Sequence, residues 1–169
     1  MSLHTRPPHL FALIIGINEY ESPKIPNLVG AVLDADAVQD YLQKHLGVPS
    51  SQIRNLRNSE ATQATIIEGM EAFLLNDEIK VGDPILIYYA GHGLRDAPKA
   101  RGWEVGIIAS ELRPMVPYDQ PFQMEDGNPK HRIPDRTLEE LLSHLANKKG
   151  NNIVRQTFIL REFIYQLTT

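Results

Sequence analysis

Apolar and polar positions along the chain fall into two rhythms, one of buried strands and one of amphipathic helices. Leu10-Phe-Ala-Leu-Ile-Ile-Gly-Ile17 is an unbroken apolar run, as expected of a strand buried on both faces. From Ala31, apolar residues recur at Ala35, Val38 and Leu42, with Gly47 and Pro49 following. Those offsets line one face of a helix, and the glycine and proline stop it. Gln52 to Arg57 has only Ile53 and Leu56 as apolar anchors, and its place between two helical segments predicts a second strand. Thr62 can cap a second helix whose Ile66, Met70, Phe73 and Leu74 share a stripe before Gly82-Asp83-Pro84 breaks the chain. Ile85-Leu-Ile-Tyr-Tyr89 predicts a third strand, running directly into Ala90-Gly-His-Gly93.

The stretch from Leu94 to Arg136 holds six of the twelve prolines, and a connection of that length is usually functional or mobile. Thr137-Leu-Glu-Glu140 then matches a capping box ahead of Leu141, Leu142 and Leu145, so a third helix is expected from Thr137 to near Gly150. Asn151-Asn-Ile-Val154 enters a further strand, after which Leu160, Ile164 and Leu167 recur at helical offsets. The chain is therefore expected to leave the strand after Val154. Strands alternating with helices imply an α/β domain, its strands paired in parallel through right-handed crossovers. In such sheets the ligand crevice lies beyond the carboxyl ends of the strands, where Asn18 and Gly91 to Gly93 would sit.

Composition narrows the classes. A length of 169 residues suits one domain, and the formal charge of −4, from 17 Lys and Arg against 21 Asp and Glu, gives no electrostatic reason to expect nucleic acid or an anionic membrane as partner. The longest apolar run is well short of the roughly 20 residues that cross a bilayer, and no small-residue cleavage site follows it. A cytoplasmic location is expected. The chain has no cysteine, which excludes disulfides, thiolate zinc sites and a thiol nucleophile within it.

The chemistry concentrates at Gly91-His92-Gly93. An imidazole at the rim of a strand can accept and return a proton near neutral pH. The amide of Gly93 can point at a developing oxyanion, where a well-placed donor is worth about 3 kcal/mol. The tripeptide alone is equally a tight turn. Its position after a buried strand, at the third strand-to-helix step, favours function.

Four segments extend the picture: Phe11-Ala-Leu-Ile-Ile-Gly-Ile-Asn18, Leu28-Val-Gly-Ala-Val-Leu-Asp-Ala35, Ile85-Leu-Ile-Tyr-Tyr-Ala-Gly-His-Gly93 and Met115-Val-Pro-Tyr-Asp119. In order and spacing they resemble the caspase-like cysteine peptidases, specifically the metacaspase branch, over about residues 10 to 150. The resemblance implies the three-layer caspase-hemoglobinase fold with a mostly parallel sheet, and cysteine endopeptidase activity after arginine or lysine. It makes His92 the catalytic histidine, Gly93 an oxyanion donor, and Asp34 part of an acidic substrate pocket. A solvated carboxylate near a helix start is the other reading of Asp34. Ala31 and Ala90 stand where many metacaspases have cysteine and serine. Many metacaspases also respond to calcium, but the acidic residues associated with that response would lie past the point of divergence, and no calcium ligand is assigned.

The family strand after the third helix should end in an Asp-Cys-Cys-like segment. This chain instead continues Arg155-Gln-Thr-Phe-Ile-Leu-Arg-Glu-Phe163. Residues 10–154 are thus expected to form a partial caspase-like domain lacking its C-terminal strands, with 155–169 a divergent tail from a frameshift, retained intron or alternative splice, or else the natural end of a short paralogue. Exposed apolar faces and an unpaired strand edge would make such a chain poorly soluble or dependent on a partner. Thr157 lies nearest the expected nucleophile, but a hydroxyl is far less acidic than a thiol. Two functions follow: an endopeptidase domain left catalytically incomplete, or a non-catalytic module binding a partner such as a complete caspase-like paralogue. The histidines His4, His9, His45, His131 and His144 lack metal-ligand spacing. Trp103 and Tyr118 are expected to pack the long loop down rather than shape a groove, and Asp119, Glu125 and Asp126 to be solvated. Gly16-Ile-Asn18 lacks the glycine spacing of a dinucleotide site.

Overall fold

A computed structural model describes residues 9–94, 115–121, 124, 125, 128, 129, 133 and 135–163. Strand β1 (Phe11–Gly16) is followed by helix α1 (Ala31–Lys44), β2 (Ile53–Arg57), α2 (Gln63–Leu75) and β3 (Ile85–Leu94). After these come the short β4 (Met124–Glu125) and β5 (Asn128–Pro129), then α3 (Asp135–Lys149) and β6 (Ile153–Phe163). Four strands form one sheet in the order β2-β1-β3-β6, every pair parallel. The strands β4 and β5 make a separate antiparallel pair.

Alternation along β1 builds the layers. Phe11, Leu13 and Ile15 join Ile85, Ile87 and Tyr89 of β3 in one core with Ile66, Met70 and Phe73 of α2 and Leu138 and Leu145 of α3. Ala12 and Ile14 join Tyr88 and Ala90 in a second core with Ala31, Ala35 and Leu42 of α1. Successive strand residues point to opposite faces, so the continuous apolar run read from the sequence is what a sheet covered on both sides requires. The result is a three-layer α/β/α domain. Small residues bring α1 close to the sheet: a Cβ on Gly16 would sit 2.7 Å from Ala35 Cβ and 2.9 Å from the Ala31 carbonyl.

The chain leaves β1 for β2 on one side, then crosses back over β1 to reach β3 on the other. That reversal opens a crevice between the carboxyl ends of β1 and β3.

Three expectations need correction. The segment after Val154 does not leave the sheet: β6 continues to Phe163, paired with β3 along its length. The helical offsets at Leu160, Ile164 and Leu167 are outweighed there by parallel pairing beside a buried strand, and Ile164 and Leu167 lie outside the described residues. Helix α3 begins at Asp135, two residues ahead of the expected start, so Thr137 lies in its first turn rather than at its cap. Aspartate is itself a favoured opening residue. Asp119 is not simply solvated, because its Oδ1 accepts the Gln63 amide at 2.8 Å and so serves the start of α2. Trp103, Asp126, His4 and His131 lie outside the described residues.

Candidate active site at the carboxyl rim of the sheet

The carboxyl end of β3 carries His92, whose side chain is fully buried. Its neighbours come from the loop after β1. The imidazole Nε2 lies 2.7 Å from the Pro26 carbonyl oxygen. A carbonyl only accepts, so this contact sets a proton on Nε2. The Tyr20 ring packs on the imidazole, with centroids 5.0 Å apart at an interplanar angle of 45°.

That loop is tied at several points. The Asn18 amide donates to Asn58 Oδ1 at 2.8 Å, and the Leu28 amide donates to the Asn18 carbonyl at 2.8 Å. Asn18 Oδ1 accepts the Val32 amide at 3.3 Å, serving the start of α1 where Gly30 has no side chain to do so. One loop therefore carries both the Pro26 carbonyl and the start of α1.

The segment Met115–Gln120 returns across the same rim. Met115 bridges Gly93 in antiparallel fashion, and the Val116 amide donates to the His92 carbonyl at 3.2 Å. The Glu21 amide donates to the Tyr118 carbonyl, and the Tyr118 amide to the Ala61 carbonyl. The Tyr118 backbone thus pins the returning loop, and its side chain is half-buried.

His92 and Gly93 are brought together at this rim by adjacency on β3. Asp34 sits exposed on the first turn of α1, the helix that packs over Ala90 and Tyr88. The Tyr88 phenol is held above its ordinary range first by burial and then by the charge of Asp34, with Arg57 acting oppositely. Arg57 in turn pairs with Asp36 at 3.0 Å and donates to the Ile14 carbonyl at 2.8 Å.

Beside His92, strand β6 contributes the backbone of Arg161, and beside Gly93 that of Glu162. The register slips between Gly91 and His92, so that Leu160 is passed over. Thr157 pairs with Tyr89, three rungs back from the histidine, or about 10 Å along a strand. The structure does not bring it to the imidazole. Among the described residues no group of three or more His, Asp or Glu is placed to hold a metal ion.

The carboxyl rim of the sheet thus holds a buried histidine at the end of β3, its ring against a backbone carbonyl from the loop after β1. Residues 9–156 match the family model of the caspase domain. The chain belongs to the caspase-domain family. No curated protein matches it. Among solved structures, this caspase domain is similar to a crystal structure of a protein from Geobacter sulfurreducens, with a TM-score of 0.60 and 18% identity over 89% of the present chain and 49% of the other. At that identity the likeness concerns the fold. The present chain spans about half the length of that protein. Among the described residues, no helix of the domain is long and apolar enough to cross a membrane.

Sequence reasoning singled out His92, Gly93 and Asp34 as candidates and did not name Pro26 or Tyr20, which lie against the imidazole. Pro26 acts through a backbone atom and leaves no side-chain signature. Tyr20 follows the first strand closely, and an aromatic hydroxyl there needs a partner once buried.

Proposed function

We propose that the chain carries the histidine half of a metacaspase-type cysteine endopeptidase site, directed at peptide bonds after arginine or lysine, and that these residues alone do not turn over peptide. The carrying observation is a buried imidazole with Nε2 on the Pro26 carbonyl in a chain without a single cysteine. In thiol-dependent hydrolysis a thiolate attacks the scissile carbonyl and the imidazole delivers a proton to the leaving amine. Here His92 would hold that proton, the Gly93 amide would face the oxyanion, and Asp34 would meet the basic side chain of the substrate. Arg161 and Glu162, the β6 neighbours of His92 and Gly93, supply no nucleophile.

A fluorogenic peptide ending in arginine, assayed beside a His92→Ala control, is expected to give equal background from both. Turnover that depends on His92 would overturn the incompleteness. Silence together with co-purification of a complete caspase-domain paralogue would support the non-catalytic, partner-binding reading, which the missing cysteine favours.

The family match stops at residue 156, close to where the chain departs from an Asp-Cys-Cys ending. We attribute residues after Ile153 to a retained intron or shifted frame. Sequencing the locus decides this: finding no Asp-Cys-Cys segment in any nearby frame or exon would remove the explanation.

A further inference from the structure

Two buried phenols hold the two peptide groups of His92. The His92 amide donates to the Tyr20 hydroxyl at 2.9 Å. The Tyr20 and Tyr89 hydroxyls both stand over Gly91. The Tyr89 hydroxyl reaches the His92 carbonyl at 2.7 Å, with the Val116 carbonyl at 3.0 Å as its other acceptor, while the Val116 amide donates back to it at 3.2 Å. A hydroxyl donates once and accepts twice. Tyr20 therefore accepts from the His92 amide while Tyr89 donates to the His92 carbonyl, so each phenol grips a different peptide group of the same residue.

Gly91 makes room for both phenols. A Cβ there would stand 2.5 Å from the Tyr89 hydroxyl oxygen and 3.1 Å from that of Tyr20. The first glycine of Gly-His-Gly is thus required by the phenols rather than by the turn. Burial keeps both phenols protonated, Tyr20 up at about 12 and Tyr89 well above its ordinary value.

We propose that Tyr20 and Tyr89 are positioning residues for His92, a paired-phenol clamp that fixes its backbone so that the imidazole stays on the Pro26 carbonyl and keeps its proton on Nε2. The proposal rests on His92 being the proton carrier of the site. It adds what holds that carrier in one tautomer.

Nitrogen-15 NMR of the histidine rings in the purified chain tests the clamp, with the His92 signals identified by their loss in His92→Gln. The intact chain is expected to show His92 in the Nε2–H form alone. Tyr20→Phe keeps the ring on the imidazole and removes only the hydroxyl. In this variant and in Tyr89→Phe, the His92 proton is expected to spread over both nitrogens while the other histidine signals stay in place. Both phenols grip the same residue, so the effect of the double variant should depart from the sum of the single ones. Folded variants with His92 wholly on Nε2, or with strictly additive effects, would overturn the clamp in favour of simple packing. Should either variant fail to fold, 3-fluorotyrosine placed at position 20 keeps the shape and perturbs the hydroxyl; unmoved His92 amide and ring signals would then sink the proposal. None of these readouts needs turnover, so failure of the clamp and failure of the peptidase reading are separate results.

Discussion

At the residue scale, His92 is held by groups that each tolerate little change. Gly91→Ala would push a methyl into the Tyr89 hydroxyl. Overpacking of this kind costs about 1–3 kcal/mol, so denaturant melts should show a loss of that size. Tyr20 gives a pH test. Its phenol is raised from 10.0 to about 12 by burial, against opposing hydrogen bonds from the His92 backbone and Tyr89. Folding therefore favours the protonated form. Its contribution is fully present below pH 10 and is lost as pH rises from 10 toward 12, where the unfolded chain binds fewer protons than the folded one. Tyr20→Phe should flatten this part of the alkaline stability profile, measured by urea titration across that range. The histidine was visible in the sequence because Gly-His-Gly is a side-chain pattern. Pro26 was not visible, because its contribution is a carbonyl that every residue has.

At the element scale, two helices start on side chains borrowed from distant loops. Asp119 serves α2 across 56 positions of sequence, alongside the local cap from Thr62 to the Thr65 amide at 3.2 Å. Asp119→Ala should cost about 1 kcal/mol, the usual value of a lost helix cap, read as a lower melting midpoint. Lys149, at the end of α3, is buried with its Nζ donating to the Asn76 carbonyl at 2.7 Å and the Ile79 carbonyl at 3.0 Å. Lys149→Met keeps the stem and strands both acceptors, and about 2 kcal/mol or more should be lost in the same measurement. Periodicity made the first two helices readable, since their apolar stripes are the faces that pack on the sheet. It failed for the segment after Val154, because the pull of a neighbouring strand is not written in local spacing. The trans caps escaped notice for a similar reason: Asp119 looks like any loop carboxylate until the loop returns.

At the scale of the whole molecule, the strand order explains why the chemistry gathers at one end. Reversal of the winding after β1 parts the connecting loops above β1 and β3, and the loop after β1, the end of β3 and the returning Met115–Gln120 segment meet there. The α/β class and the parallel sheet followed from alternating strand and helix patterns alone. Strand order did not, because pairing between distant segments depends on which faces are left to cover. Among the described residues β6 has β3 as its one ladder partner. A long strand with an open side recruits other strands, so the purified chain is expected to associate as its concentration rises in size-exclusion chromatography with light scattering. A monodisperse monomer that melts cooperatively would count against this.

The Pro26 contact also limits what mutagenesis can reveal. Exchanging the proline for alanine would leave the accepting oxygen in place, so a systematic side-chain scan would pass over this contact and score the position as neutral. Only a change to the main chain itself, such as an ester linkage or a shortened loop, would expose how much the histidine depends on it.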